Sequence, residues 1–406
     1  MTEPTLKRSL SLPLLTLYGL GTIVGAGIYV LVARVAAHAG LYAPLSFLLA
    51  ALLATFTGFA YAELSARYPK SAGEAVYVQE GLGRRELSLL VGFLIIVTGV
   101  VSAATIVNGF VGYLQVFVAV PDALAIVLVV LALGMLAVWG ITESVAAATV
   151  VTLIEVSGLL FIVVVAGGSL ATLPARLPEL IPPADSRVWQ GIVVGAFLAF
   201  YAFIGFEDMV NVAEEVHDPT RTLPRAILLA LAAATVLYIV VALVAVLALL
   251  PAELAETRAP LALIYERSTG QAPTLITLIS LFAIINGALI QIVMGSRVLY
   301  GMSREGWIPQ WLGRVHARTR TPHLATLLVA ATILVLALGF PLEGLARFTS
   351  FVILVVFALI NLALLRIKRR APHPPGIRTC PAWLPWAGFL GTTGFVLYQL
   401  LDLLRH

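Results

Sequence analysis

The stretch from Gly19 to Tyr29 reads G-L-G-T-I-V-G-A-G-I-Y and lies inside the first long apolar run of the chain. Four of its residues are glycines, and each glycine weakens a helix by about 1 kcal/mol relative to alanine. Unwound backbone is tolerated at membrane depth only where it lines a cavity that is enclosed by protein. The stretch therefore predicts a broken helix together with a binding site. The alternative is that the small residues only let two helices pack closely.

Composition places the chain in a membrane. Hydrophobic residues make up 60% of its 406 residues and charged residues 11%, and the mean hydropathy is +1.02, which is far too apolar for an ordinary soluble domain. A bilayer core about 30 Å thick needs about 20 apolar residues per helix. The fold class predicted is an all-α polytopic membrane protein with about 11 transmembrane helices. The predicted spans are approximately 12–36, 41–66, 88–118, 124–140, 145–169, 190–215, 224–250, 273–300, 323–341, 345–367 and 383–404.

Lysine and arginine are divided unevenly between the two sides of these spans. With the N-terminus inside, all but seven of the 25 lie on the inner side, so a cytoplasmic N-terminus in the cell (inner) membrane is predicted. No cleaved leader is expected before the first span. The basic balance comes from the inner loops, and no nucleic-acid partner is predicted. The single cysteine, Cys380, excludes an intrachain disulfide and a cysteine metal cluster; neither a metal nor a cofactor is predicted.

The sixth span repeats the pattern of the first. Its centre reads F-Y-A-F-I-G-F-E-D, with Gly205 shortly before the two acids Glu207 and Asp208. Acids are favoured in the first turn of a helix, where they face the positive end of its dipole, so a helix is expected to restart near Phe206. Two broken helices five spans apart predict inverted repeats over about 12–169 and 190–367, with a site between them. Residues 1–370 would form the transport core, and residues 371–406 a linker and the eleventh helix.

Polar residues within the spans are further candidates. Glu155 stands alone as a charge in the fifth span, and such a group costs about 2.5–3.5 kcal/mol on insertion scales. It is expected to carry a proton or neutralise a cation, or else to stay protonated and bond a neighbouring helix. Asn286 is the nearest polar candidate to assist it. Ser102 and Thr105 share one face of the third span and either contact a ligand or bond another helix.

Four motifs carry a resemblance to a known family. They read G-T-I-V-G-A-G-I (21–28), Y-A-E-L-x4-P-x3-G (61–73), F-I-G-F-E-D-x4-A-E-E-V-x-D-P-x-R-x2-P-R-A-I (203–227) and M-S-R-E-G-W-I-P-x4-R-V-H-x-R-x3-P (302–322). With them the chain resembles the amino acid-polyamine-organocation (APC) superfamily, near the bacterial permeases that are similar to cationic amino acid transporters. The resemblance implies a LeuT-like 5+5 inverted-repeat fold, alternating access, and a free amino acid held by broken helices 1 and 6.

The chemistry of an amino acid indicates which residues would hold it. Its carboxylate needs N–H donors at the positive end of a restarting helix, which the first span would offer at Gly25, Ala26 and Gly27. Its ammonium group needs free carbonyls at a negative end, which Ile23, Tyr201 and Ile204 would provide. Phe200 or Tyr201 would form an aromatic gate, and ordinary helix packing is the alternative for both. The candidate substrate-binding residues are Ile23, Gly25, Ala26, Gly27, Ser102, Thr105, Tyr201, Ala202 and Ile204.

The predicted function is secondary active transport of an amino acid, not enzymatic catalysis. The coupling ion expected is a proton, with sodium as the alternative, and the candidate coupling residues are Glu155, Asn286, Glu207 and Asp208. Proton-coupled relatives often have a lysine in the fifth span, so the carboxylate here leaves the ion open. The family usually has twelve spans rather than eleven, which leaves the oligomeric state open.

Other functions remain as alternatives. An amino acid exchanger or a polyamine antiporter is the nearest. A channel would be expected to show a repeated filter or a charged ring, and an enzyme a catalytic constellation, and neither pattern is visible in the sequence. Small and apolar residues on the faces expected to line the pocket favour a neutral amino acid, whereas Glu207 and Asp208 could instead pair with a cationic side chain.

Overall fold

The computed structural model describes residues 10–25, 27–70, 73–139, 145–304, 308–316, 319 and 321–403. Within these residues the regular secondary structure is helical, apart from one isolated β-bridge between Leu10 and Val216. The α-helices are α1 (Leu12–Val24), α2 (Gly27–Ala39), α3 (Ala43–Arg67), α4 (Gly73–Leu82), α5 (Arg85–Leu114), α6 (Asp122–Trp139), α7 (Val145–Val165), α8 (Leu173–Arg176), α9 (Ser186–Tyr201), α10 (Pro219–Ala248), α11 (Pro251–Glu256), α12 (Pro260–Thr269), α13 (Thr274–Arg304), α14 (His323–Gly339), α15 (Leu342–Arg370) and α16 (Trp383–Leu403). Short 3-10 helices cover Gly40–Tyr42, Gly167–Thr172, Leu177–Leu180, Glu207–Glu215 and Gln310–Gly313.

The long helices confirm the all-α polytopic class. In the described part of the chain, six helical stretches are long and apolar enough to cross a membrane, or seven if a pair bent by 50° after α7 is one span. The apolar helices α1 and α14 are shorter. Each stretch predicted from the sequence overlaps an α-helix or an interrupted pair of helices. The number of eleven spans stays a prediction, because length and composition alone select fewer.

The first predicted span is interrupted where its glycines cluster. Helix α1 ends at Val24 and α2 begins at Gly27. Gly25 closes α1 with φ 5° and ψ −127°, which is not a helical conformation. The predicted break in the first helix is therefore present, and it exposes the last carbonyls of α1 and the first N–H groups of α2.

The second interruption follows α9. After Tyr201 the chain turns through 202–206 and restarts as the 3-10 helix Glu207–Glu215. Gly205 has φ +123°, a conformation that residues with a Cβ rarely adopt. The helix restarts directly after Phe206 with Glu207 in its first turn, as predicted, although the new segment is a 3-10 helix and not an α-helix. The inverted-repeat relation between the two halves stays a prediction.

Both interruptions are enclosed by long helices. Helix α1 packs against α7 and α10, α2 packs against α9, and α3 packs against both α9 and α10. Phe357 of α15 lies at the centre of an aromatic cluster, with ring centroids 5.2 Å from Phe206, 5.5 Å from Tyr61 and 5.9 Å from Phe200. Packed aromatic rings contribute strongly to a buried core. The cluster holds residues on both sides of the second interruption.

Two shorter segments also pack onto these helices. Helix α4, which follows α3 after a short break, packs against α5 and α15. A Cβ at Gly81 of α4 would lie 2.5 Å from the Cβ of Ala363, so α4 approaches α15 closely. The last helix, α16, packs against α3 and α15.

Candidate functional site

The two interruptions touch each other. A Cβ added at Gly27 would lie 2.6 Å from the Cα of Ala202, and one added at Gly205 would clash with the carbonyl group of Thr22. The Thr22 hydroxyl lies 2.9 Å from both the Gly205 and the Gly19 carbonyl oxygens and donates its proton to them. The glycines are thus needed because backbone meets backbone where the two breaks cross.

Tyr238 of α10 joins the same two breaks from behind. Its hydroxyl lies 2.7 Å from the carbonyl oxygen of Ile23 and 2.9 Å from that of Ala202, and donates its single proton to this pair. Carbonyls freed by a helix break must be satisfied inside a membrane protein. The Ile23 carbonyl, predicted to bind an ammonium group, therefore already accepts one bond and has one lone pair left.

Replacing Tyr238 with phenylalanine removes this bridge and leaves the ring in place. We expect a lower melting temperature and weaker substrate uptake, because leaving a buried polar group unpaired costs about 1–3 kcal/mol. Thermal unfolding and uptake by the reconstituted protein measure the two effects. Tyr265→Phe is the matched control, since Tyr265 is half-buried on α12 and stacks on Phe161. An unchanged melting temperature in Tyr238→Phe would contradict the bridging role.

A small cavity of about 30 Å³ lies where the breaks meet. It brings together most of the predicted substrate-binding residues, which come from α1, α2, α5, α9 and the turns at the two breaks. The residues concerned are Ile23, Gly25, Gly27, Ser102, Tyr201 and Ile204. Gln291 of α13 also lines it and was not among the candidates. A single Gln in a long apolar span has no distinguishing sequence signal, because its place at the cavity depends on how α13 packs.

Three predicted substrate-binding residues do not line this cavity. Ala202 is buried under the contact with Gly27. Thr105 is buried and donates its hydroxyl to the Val101 carbonyl of its own helix at 2.9 Å, which corresponds to a packing role. Ala26 lies outside the described residues.

One of the predicted backbone donors at the first break already has a partner in the structure. The N–H of Gly25 donates to the Gly21 carbonyl at 3.1 Å and completes the last turn of α1. Gly25 is therefore not a free donor for a carboxylate. Gly27 opens α2, and the first N–H groups of a helix have no partner within that helix. The positive end of α2 thus begins at Gly27, two residues later than the first candidate.

The structure separates the two candidate gate residues. The hydroxyl of Tyr201 lies 2.8 Å from the Ser102 hydroxyl and 3.1 Å from the Ser102 carbonyl, and its ring lines the small cavity. Phe200 is fully buried and stacks edge-on with Phe357. It lines neither this cavity nor the adjoining cavity that Glu207 and Asp208 line. The geometry of Phe200 is that of a packing residue, so Tyr201 is the stronger gate candidate.

A second cavity, of about 100 Å³, adjoins the first and is acidic. Ser102, Ile204 and Gln291 line both cavities. Glu207 and Asp208 line the second one, as does Glu74 of α4. We refer to it as the acidic cavity.

Its carboxyl groups are held in different ways. Glu207 is buried, and its Oε2 accepts a bond from the N–H of Gly205 at 2.8 Å, which ties the acid to the second break. Glu74 lies outside the membrane-spanning helices, and burial raises its pKa to about 8, so this carboxyl is mostly protonated at pH 7. Glu74 was not among the predicted site residues, although it directly follows Gly73, the last residue of the second motif.

Glu155 lies apart from the acidic cavity. It is fully buried on α7, its Oε1 is 3.4 Å from Asn286 Nδ2, and its backbone carbonyl accepts a bond from the Tyr29 hydroxyl at 2.5 Å. A Cβ at Gly21 would clash with the hydroxyl of Thr152, so this part of α7 presses against α1. The four coupling candidates thus form two separate pairs. Glu155 and Asn286 lie next to the first break, and Glu207 and Asp208 lie next to the second.

Contacts at both ends of the bundle tie the broken helices to their neighbours. At one end, His38 of α2 lies 2.9 Å from Glu343 of α15, and Arg347 lies 3.2 Å from the same carboxylate. At the other end, Leu10 pairs with the chain after the 3-10 helix: its N–H donates to the Glu215 carbonyl at 3.0 Å, and its carbonyl accepts from the N–H of His217 at 3.0 Å. Both ends of the first broken helix are therefore linked to other elements.

Comparison with known proteins identifies the family. The model of a family described as amino acid permease matches residues 10–401. The chain is 35% identical over 392 residues to an uncharacterized transporter of Mycobacterium tuberculosis, with 95% of this chain and 85% of the relative covered. It is 28% identical over 427 residues to the branched-chain amino acid permease BcaP of Bacillus subtilis, with 99% and 89% covered.

A plant relative extends the comparison. The chain is 30% identical over 390 residues to the vacuolar cationic amino acid transporter 2 of Arabidopsis thaliana, with 90% of this chain and 61% of the relative covered. The family match spans nearly the whole chain, and the matched relatives are transporters and permeases, not enzymes. The chain therefore belongs to the amino acid permease family of multi-pass membrane transporters.

Proposed function

We propose that this protein is a secondary active transporter that binds an amino acid between its two interrupted helices. The main support for the proposal is the small cavity where the two interruptions meet, because residues of both interrupted helices line it. The α-carboxylate would meet the positive N-terminal end of α2 at Gly27. The α-ammonium would meet the remaining lone pair of the Ile23 carbonyl and the carbonyls of the turn after Tyr201. One ligand would thus contact both breaks at once.

Transport by alternating access requires the broken helices to move relative to the rest of the bundle. The contacts at the two ends of the first broken helix are the connections that such a movement would exchange. At one end the link is the hydrogen bond between His38 and Glu343, and at the other it is the bridge of Leu10 with Val216. We infer that opening towards one side of the membrane breaks one of these links and keeps the other.

For the coupling ion we propose a proton, carried by Glu155. This carboxyl is fully buried and lies next to Asn286 on α7's neighbour α13. Its helix presses on α1 just before the first break, so a change in its charge would act on the element that binds substrate. Exchange of one amino acid for another without a net ion is the second candidate. It would leave Glu155 a structural residue.

Glu207→Gln tests whether the acidic cavity selects the substrate. The relatives are named for branched-chain and for cationic amino acids, so the family name does not decide between these classes. If Glu207 pairs with a cationic side chain, we expect the variant to lose uptake of arginine and lysine and to keep that of alanine and leucine. The amide still offers an oxygen to the Gly205 N–H, so the break should keep its geometry.

Uptake of labelled amino acids by the reconstituted variant measures this selectivity. Glu80→Gln is the matched control, because Glu80 is an exposed acid on α4 that does not line the acidic cavity. Equal loss of cationic and neutral substrates in Glu207→Gln would exclude a role in selectivity and leave Glu207 as a support for the break.

The proposed function is tested by uptake of a panel of labelled amino acids into proteoliposomes. Inward proton, inward sodium and no gradient are compared, each with empty and with preloaded lumens. Saturable uptake that is concentrated by the proton gradient alone supports proton symport. Uptake that needs a preloaded lumen supports exchange, and a flux that does not saturate would contradict a carrier mechanism.

A further inference from the structure

A cavity of about 580 Å³ lies away from the broken helices, between α3, the start of α10 and the linker that precedes α16. It opens at the face that the lysine and arginine count predicts to be cytoplasmic. Its wall combines basic and apolar side chains. Arg221, Arg225 and Arg378 supply the charge, while Phe59 and Leu228 supply apolar surface.

Among the described residues, Glu63 is the only acid that lines this cavity, and its carboxylate already accepts bonds from neighbouring protein groups. Its Oε1 accepts bonds from Arg67 at 2.7 and 2.9 Å, and its Oε2 accepts bonds from Lys368 at 2.6 Å and from the N–H of Cys380 at 2.8 Å. Glu63 and Arg67 are both almost fully buried. Because this carboxylate is already paired with Arg67 and Lys368, it does not neutralise the arginines that line the cavity.

The positive charges of the arginines that line the cavity are paired with few acidic side chains. No ion pair in the part of the chain that the structure describes includes Arg225 or Arg378, and the ion pair of Arg221 there is with Asp218 at 3.8 Å. Helix α10 begins at Pro219, so the positive end of a 30-residue helix lies on the same side of the cavity. The cavity is therefore positively charged and open to solvent.

The linker that carries Arg378 is held in a defined position. Arg67 donates to the Ala371 carbonyl at 2.9 Å, and Lys368 donates to the Cys380 carbonyl at 2.7 Å. Burial and the neighbouring Glu63 raise the pKa of the Cys380 thiol to about 12. This thiol stays protonated and is a poor nucleophile, so the cavity is suited to binding and not to thiol chemistry.

We propose that this cavity binds a phosphate group. Guanidinium groups match the geometry of phosphate oxygens and bind them in pairs. Anionic phospholipids are concentrated in the cytoplasmic leaflet, and Phe59 and Leu228 lie deeper along α3 and α10, where an acyl chain would pass. The group therefore comes from an anionic lipid head group or from free phosphate. Bound there, it would join α10 and the linker by charge.

Binding to the purified full-length protein in detergent tests the proposal. Native mass spectrometry and thermal unfolding are recorded with phosphatidylglycerol, with zwitterionic phosphatidylcholine and with inorganic phosphate. The variant is Arg225→Gln combined with Arg378→Gln. We expect it to bind phosphatidylglycerol at least about tenfold more weakly, since bonds to charged groups are worth that much. The matched control is Arg84→Gln with Arg85→Gln, which removes the same charge from two exposed arginines at the start of α5, outside the cavity.

The three ligands identify the source of the phosphate. Binding of phosphatidylglycerol alone supports a lipid site, and equal protection by inorganic phosphate supports a free-phosphate site. Native affinity in the double variant, or an equal loss in the control, would overturn the proposal. Arg378→Gln alone changes only the linker and leaves every helix intact, so it tests the same site if the double variant fails to fold. Transport activity is not needed for any of these readouts.

Discussion

Replacing Gly205 with alanine is expected to abolish substrate uptake. Its φ of +123° suits glycine alone, and a Cβ there would meet the carbonyl oxygen of Thr22 and lie 2.6 Å from its carbonyl carbon. Backbone strain of this kind costs about 1–3 kcal/mol. The clash adds to the strain, because the atoms that are hit belong to the backbone of α1 and cannot rotate away. The first and second breaks would be pushed apart, and the cavity between them would lose its shape.

The measurement compares uptake and the melting temperature of Gly205→Ala with those of a harmless glycine change. Gly394→Ala is the matched control, because Gly394 lies in helix α16 and a Cβ there meets nothing within 4 Å. Gly27→Ala should resemble Gly205→Ala, since its Cβ would lie 2.6 Å from the Cα of Ala202. Near-native uptake by both break variants would show that the crossing of the two interruptions is not the substrate site.

The breaks themselves could be predicted from the sequence because glycine acts locally. The cluster from Gly19 to Gly27 weakens one helix, and Gly205 followed by two acids marks a restart in another, without any knowledge of neighbouring helices. Most of the residues expected at the cavity lie there for the same reason: they flank the breaks in sequence. Position along the chain is enough when the site consists of backbone.

The partners of the breaks could not be predicted, because they depend on packing between distant helices. Tyr238 satisfies carbonyls of Ile23 and Ala202 across 215 and 36 residues of chain. A single tyrosine or Gln291 in an apolar span has no periodicity that distinguishes a functional contact from a packing one. The separation of Glu155 from Glu207 has the same origin, since the sequence places both in apolar spans and only the packing of the helices shows how far apart they lie.

The two candidate gate residues differ in the direction of their side chains, which the local sequence does not determine. Phe200 and Tyr201 are neighbours in sequence, and both were expected to be able to cover the ligand. Successive residues of a helix point about 100° apart, so one of them can face the cavity while the other faces the core. In the structure Tyr201 faces Ser102 and the cavity, and Phe200 faces Phe357. The direction of each side chain depends on which side of α9 packs against α15, and the sequence motif does not determine that side.

Glu155→Gln is the second change with a large expected effect. We expect the variant to transport substrate but to lose the dependence of uptake on external pH and on the proton gradient. An amide cannot take up or release a proton, whereas its oxygen can still accept a bond from Asn286, which lies 3.4 Å from the carboxylate. Without a proton carrier, a gradient no longer drives accumulation, and the ratio of uptake with and without the gradient falls to unity.

The pH profile of uptake, measured from proteoliposomes with a clamped lumen, distinguishes coupling from a structural role. Glu86→Gln serves as the control, because Glu86 is an exposed acid at the start of α5 and its loss should leave the profile unchanged. Exchange of preloaded substrate should persist in Glu155→Gln, since exchange moves no net proton. A folded, transporting variant that keeps the native pH profile would make Glu155 a structural residue, and the coupling ion would then have to act elsewhere, with the acidic cavity of Glu74, Glu207 and Asp208 as the next place to test.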